Sequence, residues 1–352
     1  MTATAFIVLA AGMGTRMKSD VPKVLHAAGG QSMIGHVLSA VSALSPSEVC
    51  LVVGPDMDAV GDAVATIVPA AKSVVQAERN GTAHAVLMAK EALTGFDGTV
   101  LVVYGDVPLI KPQTLEQLCA AITGDTALAV LGFDALDPFG YGRLVLDGSG
   151  NLKAIREELD ATSEERKITL CNSGVIAVRS DILWPLLDQV DNDNAKGEYY
   201  LTDLIALGAA AGHRIAHTVC EESEVMGVND RAQLAEVEAV LQTRYRQAAM
   251  HGGASLIAPE TVFLSHDTRI GRDVIIEPHV VMLPGVTIGD GAHVRAFCHL
   301  EGADIGDNCA VGPYARLRPG TRLSAGAKVG NFVEIKNASL EEASKVNHLT
   351  YV

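Results

Sequence analysis

The chain has 352 residues, 48% apolar and 20% charged, with 27 Lys and Arg against 42 Asp and Glu for a net charge of −15. That length predicts two domains, the apolar content excludes a largely disordered chain, and the negative balance excludes nonspecific binding to nucleic acid or an anionic membrane. Cysteines at 50, 119, 171, 220, 298 and 309 form no CxxC pair, and no apolar run suits a membrane span or signal core, so a cytoplasmic chain with reduced thiols and no zinc site is expected.

From Ala5 to about Val228, β-rich runs such as Ala5–Ala10, Val49–Val53 and Val100–Tyr104 alternate with stretches of helical period. This order predicts an α/β domain with a mostly parallel sheet covered by helices on both faces. Ligands of such sheets bind beyond the carboxyl ends of the strands.

The first run ends in Leu9-Ala10-Ala11-Gly12-Met13-Gly14-Thr15-Arg16, followed by Pro22-Lys23. Gly12 and Gly14 allow backbone N–H groups to approach phosphate oxygens, while Arg16 and Lys23 bring positive charge to a polyphosphate. The third glycine of a dinucleotide fingerprint is missing, and so is the Gly-Lys-Ser/Thr of a Walker loop. The third run leads into Gly105-Asp106, a carboxylate suited to Mg2+ beside phosphates, or equally to a turn before a helix. Asn229 is the obvious neutral oxygen donor, although a turn Asn before a helix is as ordinary a reading.

Asp230 to Met250 reads as one helix, with Asp230 as N-cap, Leu234, Val237, Val240, Leu241 and Tyr245 at helical spacing, and Gly252-Gly253 as the stop. Beyond it the apolar period becomes six. Leu264, Ile270, Ile276, Met282, Ile288, Val294 and Leu300 are in register, then Ile305, Val311, Leu317, Leu323, Val329 and Ile335, with one residue dropped between the two runs. This period predicts a parallel β-helix rather than antiparallel strands with regular turns. A weaker continuation at Leu340, Val346 and Val352 has no polar cap, so a C-terminally truncated chain is expected. The domains are expected at 1–229 and 252–352, with 230–251 as a linker helix.

The Leu9–Lys23 segment resembles the signature of sugar-phosphate nucleotidyltransferases. Together with Gln76 to Thr82, Tyr104-Gly105-Asp106 and the hexapeptide repeats, the chain resembles the bacterial bifunctional N-acetylglucosamine-1-phosphate uridyltransferase and glucosamine-1-phosphate acetyltransferase family from end to end. The resemblance implies a Rossmann-like nucleotidyltransferase domain followed by a left-handed parallel β-helix. Its reaction would be uridylyl transfer from UTP to N-acetylglucosamine 1-phosphate, giving UDP-N-acetylglucosamine and pyrophosphate, with Mg2+ as cofactor.

By the same resemblance Leu9, Ala10, Ala11, Gly12, Gln76, Gly81 and Thr82 would surround the uridine nucleotide, and the Gln76 amide would read the uracil edge. Tyr104 and Gly105 would line the sugar nucleotide, while Gly142, Glu157 and Asn172 would grip the N-acetylglucosamine moiety. Arg16 and Lys23 would act on the phosphates, and Asp106 and Asn229 would hold Mg2+.

For the second domain, Tyr314–Lys336 carries Arg316, Arg318, Arg322, Lys328 and Lys336 against Glu334 alone, a cationic patch suited to a sugar phosphate or coenzyme A. The resemblance implies that Arg318, Lys336 and Tyr351 contact glucosamine 1-phosphate, with His348 as the base for attack on acetyl-coenzyme A, a task that suits imidazole. It also implies a homotrimer. With the further coils of the family missing, little acetyl transfer is expected. Rival readings are another sugar-1-phosphate nucleotidyltransferase on the same scaffold and a noncatalytic nucleotide-sugar sensor.

Overall fold

The computed structural model describes residues 3–352. Two compact units divide at Leu234–Ala235, and residues 27–31 belong with the second. The first is built in chain order from β1 (Thr4–Leu9), α1 (Met33–Ser42), β2 (Glu48–Val53), α2 (Asp58–Ile67), β3 (Lys72–Val75), α3 (Thr82–Leu87), β4 (Thr99–Tyr104) and α4 (Pro112–Ala120). Then follow β5 (Thr126–Asp134), β6 (Arg143–Leu146), β7 (Leu152–Arg156), β8 (Leu170–Arg179), α5 (Ser180–Leu187), α6 (Asp203–Ala210) and β9 (Arg214–Cys220).

These nine strands form one sheet in the order β9-β5-β8-β4-β1-β2-β3, with the β6–β7 hairpin attached through β8. All pairs along that path are parallel except those made by β8, which is antiparallel to β4 and β5. The apolar runs Ala5–Leu9, Val49–Val53 and Val100–Val103 of β1, β2 and β4 follow from burial on both sides. Phe6, Val8, Leu51, Leu101 and Val103 pack under α1, α2 and α4, while Ala5, Ile7, Cys50, Val52 and Val102 pack under α3, α5 and α6.

α7 (Arg231–His251) opens on an Asp230 cap, whose Oδ1 accepts from the Ala232 and Gln233 amides at 2.9 and 3.0 Å. From Ala235 onward this helix belongs to the second unit and serves the β-helix core. Tyr245 and Ala249 pack on that core. Gln242, only 2% exposed, donates to the Leu264 carbonyl at 2.7 Å and accepts from the Leu264 amide at 2.9 Å, so it pairs with the backbone that enters the first coil.

After Ser255, short strands stack in three parallel sheets of six, five and four strands, one per face of the coil. The six-spaced aliphatics from Ile276 to Leu340 are buried, and a second inward position two residues earlier takes smaller groups such as Val274, Ala292, Cys298, Cys309 and Ala315. Coil-to-coil register explains the dropped residue: Met282 stacks on Leu300, 18 residues on, but Leu300 stacks on Leu317, 17 on, and Ile305 on Leu323, 18 on. A second drop falls between Ile335 and Leu340, where Leu323 stacks on Leu340.

Candidate active site

The carboxyl ends of β1 and β4 lie side by side, with Leu9 paired to Tyr104. Past them the Ala10 amide donates to the Val52 carbonyl at 2.8 Å, the Gly105 amide to the Leu9 carbonyl at 2.9 Å and the Gln76 amide to the Val53 carbonyl at 2.8 Å. Loops far apart in sequence are thereby stitched to one edge. A cavity of about 220 Å³ opens there, and its wall includes Leu9, Ala10, Ala11, Gly12, Lys23, Gln76, Gly81, Thr82, Tyr104 and Asp106. Arg16 stands exposed on the Thr15–Met17 turn and does not line this cavity.

Gln76 is 3% exposed, and its Nε2 donates to the Gly81 carbonyl at 3.0 Å and lies 3.2 Å from His84 Nδ1. Arg79, which also lines the cavity, donates from Nε to the Ala11 carbonyl at 2.7 Å and so braces the loop after β1. Its position inside the Gln76–Thr82 motif was the signal for it, but an Arg between polar residues reads as solvated.

Lys23 Nζ donates to Asp106 Oδ2 at 2.5 Å and to Asn229 Oδ1 at 3.2 Å. The lysine side chain is 10% exposed and that of Asp106 22%. The Val228 amide donates to the Asp106 carbonyl at 3.0 Å, and the Asn229 amide to Gln233 Oε1 at 2.7 Å, so the loop before α7 is tied to the end of β4. Residues 23, 106 and 229 thus meet at one point.

Gly142, Glu157 and Asn172 also come together. The Asn172 amide donates to the Gly142 carbonyl at 2.8 Å, and a Cβ placed on Gly142 would lie 3.5 Å from Glu157 Oε1 and 3.6 Å from the Asn172 Cβ. β8 slips register between Asn172 and Ile176, a bulge of the kind that re-aims side chains beside active sites. Gly174 completes it at φ +87°, where its missing Cβ leaves room for the Tyr104 ring. Thr202, which sequence alone did not flag, donates to Glu157 Oε1 at 3.1 Å. Burial pushes the Glu157 carboxyl above its ordinary pKa, against that hydrogen bond and the Lys196 charge. Burial, with the Glu157 and Asp106 charges nearby, likewise raises the Tyr104 phenol.

In the second unit Arg318 and Lys336 each follow the inward residue of successive coils, Leu317 and Ile335. Tyr351 bridges to Glu334 one coil further on. Arg318 donates to Glu334 Oε1 at 2.9 Å. The linear cationic run does not form one patch, because Arg316 lies on the four-stranded face, Arg322 on the five-stranded face and Lys328 on the six-stranded face. His348 is exposed, and its ring has no hydrogen-bond partner among the described residues.

Residues 6–169 match the MobA-like NTP transferase domain, and residues 267–302 match the bacterial transferase hexapeptide (six repeats). The bifunctional protein GlmU of Rhodospirillum rubrum is 55% identical over 354 residues, spanning 100% of this chain and 78% of the relative. The chain belongs to the bifunctional GlmU family. Its similarity to the GlmU of Paramagnetospirillum magneticum is 54% over 350 residues, 99% of this chain and 77% of that one. For Zymomonas mobilis the figures are 48% over 348 residues, 98% and 77%. Within this family, the chain is a nucleotidyltransferase with a hexapeptide-repeat β-helix. Among the described residues no helix is long and apolar enough to cross a membrane.

Proposed function

We propose that the chain transfers the uridylyl group of UTP to N-acetylglucosamine 1-phosphate, giving UDP-N-acetylglucosamine and pyrophosphate. The observation that carries this reading is the meeting of Lys23, Asp106 and Asn229 beside the cavity whose wall includes Lys23 and Asp106, in a chain of the GlmU family. A phosphate oxygen of the sugar phosphate attacks the α-phosphorus of UTP, one P–O bond forms, and the bond to the β-phosphate oxygen breaks as pyrophosphate leaves. This chemistry asks for alignment and charge neutralisation rather than a protein nucleophile.

Asp106 and Asn229 fit Mg2+, because their oxygens already converge on a single cation, the Lys23 ammonium. Among the described residues no three His, Cys, Asp or Glu side chains cluster as a metal site, and Mg2+ commonly takes one or two protein oxygens and fills its shell with water and phosphate. When bound it would neutralise phosphate charge. The chain's own groups do the rest. The loop from Leu9 to Gly12 presents backbone to the nucleotide, Arg16 reaches the phosphates from outside the cavity wall, and Gln76, whose Nε2 is committed to Gly81, offers Oε1 to the imide N–H of uracil. Glu157, oriented by Thr202, takes a sugar hydroxyl, with Gly142 and Asn172 beside it.

The second reading is acetyl transfer from acetyl-coenzyme A to glucosamine 1-phosphate, with His348 as base, Arg318, Lys336 and Tyr351 at the sugar phosphate, and a homotrimeric assembly. The deciding experiment is Mg2+-dependent pyrophosphate release, with UTP against dTTP and N-acetylglucosamine 1-phosphate against glucose 1-phosphate. Release with UTP and the acetylated sugar is expected. Release only with another pair would move the reading to a different nucleotidyltransferase, and none from folded protein would favour the sensor.

A further inference from the structure

We infer that Lys23 is a resident cation at the Asp106–Asn229 pair, and that a divalent metal ion entering there must displace its ammonium toward the phosphates. The inference rests on the reading of Asp106 and Asn229 as metal ligands. Its ground is the placement of one cation. Lys23 Nζ holds Asp106 Oδ2 at 2.5 Å and Asn229 Oδ1 at 3.2 Å, so the ammonium stands where the two oxygens converge. The amide oxygen has two lone pairs, so the competition is for position and charge rather than for an acceptor: a divalent ion bound to both oxygens would stand beside the ammonium as a like charge.

The backbone of Lys23 cannot retreat with its side chain. It lies in the Lys23–Leu25 turn behind Pro22 and packs against Gly14. Displacement therefore runs through the four-carbon stem, which is flexible and carries a point charge. That stem lines the same cavity as Gly12 and Asp106, so the freed ammonium swings into the place of the polyphosphate. Metal and nucleotide then bind cooperatively, since the nucleotide gives the expelled charge a partner. With no metal bound, the lysine neutralises a carboxylate that would otherwise stand unpaired in a mostly buried position.

The test is Mn2+ binding to the full chain without nucleotide, read from the free-ion electron spin resonance signal, for the native protein, Lys23→Met and Asp106→Asn. Removing the competing ammonium is expected to tighten Mn2+ binding roughly tenfold in Lys23→Met, the scale of one charge-assisted hydrogen bond, and Asp106→Asn is expected to lose it. Binding that disappears in Asp106→Asn but is equal or weaker in Lys23→Met overturns the displacement and leaves the metal site standing. No binding to either the native chain or Lys23→Met overturns the metal site and the displacement with it. A second arm needs no variant: acetic anhydride labelling of the native chain, located by mass spectrometry, is expected to modify Lys23 several-fold faster with Mn2+ present. Unchanged labelling of Lys23 on saturation with Mn2+ overturns the displacement.

Discussion

Gly14 adopts φ +61° directly against Lys23, and a Cβ built at position 14 would lie 2.5 Å from the lysine Cβ. The glycine after the first strand therefore sets the place of the lysine stem as well as leaving backbone open to phosphate. Gly14→Ala is expected to cost about 1–2 kcal/mol for the left-handed backbone. It should also lower kcat/KM for pyrophosphate release on the order of a hundredfold, the scale of a misplaced catalytic group. Melting and steady-state assays together check this; a folded variant with native turnover contradicts it.

The raised pKa of Glu157 has a signed consequence for stability. A carboxyl with a higher pKa in the native state than in the unfolded chain binds its proton more tightly when folded, so its effect on stability becomes unfavourable as pH rises through that folded value. Glu157→Gln is expected to melt higher than the native protein at pH 8, with the advantage disappearing in acid below the ordinary carboxyl range. The same variant should raise KM for the sugar phosphate. An equal melting temperature at both pH values would rule out the stability effect.

Glu224 is 4% exposed, and its carboxylate accepts from Lys111 Nζ at 2.8 Å and Thr114 Oγ1 at 2.5 Å beside the start of α4. Thr114→Val leaves one oxygen of a buried charge without its donor. A loss of about 1–3 kcal/mol in urea unfolding is expected, with pyrophosphate release unaffected.

His279, Phe297, Tyr314 and Phe332 stack along one corner of the β-helix, with centroids 4.9, 4.9 and 5.1 Å apart. Their side chains add ring contacts outside the core, each pair worth about 0.5–1.5 kcal/mol. Tyr314→Ala breaks two of these contacts and Phe332→Ala one. Thermal melting should show the Tyr314 variant to be about twice as destabilised.

All six cysteines are free. Burial pushes Cys50, Cys119, Cys171 and Cys298 up to about 11 and Cys220 up to about 12, and raises Cys309 as well. Because the thiolate is the reactive form, iodoacetamide at pH 8 should leave the native chain mostly unmodified and add six groups in denaturant. Mass measurement reads this directly.

The strands of the first unit and the coils of the second were legible because each reports its environment in a period. After their first residues β1, β2 and β4 are apolar because helices cover both faces, and Ile276 to Ile335 recur every six residues, with one place lost, because each coil stacks on the next. The Asp230 cap was legible for the same reason, since an N-cap acts within three residues of itself. The role of the helix behind it was not. Gln242 looks like an exposed polar residue until Leu264 supplies its partners.

The sequence by itself determined which residue types could handle phosphate, sugar and metal, because loop glycines, a lysine after proline and an acid at a strand end are local signals. Only the tertiary structure decided how they meet. Lys23, Asp106 and Asn229 come from three distant segments, Thr202 reaches Glu157 from the start of α6, and Arg79 turns back on Ala11. The cationic run from Arg316 to Lys336 shows the converse, since three-faced winding separates charges that are close in sequence. Proximity along the chain is set by covalent bonds, whereas proximity in a site is set by sheet order, by the bulge at Asn172 and by the register of stacked coils, none of which a local pattern encodes.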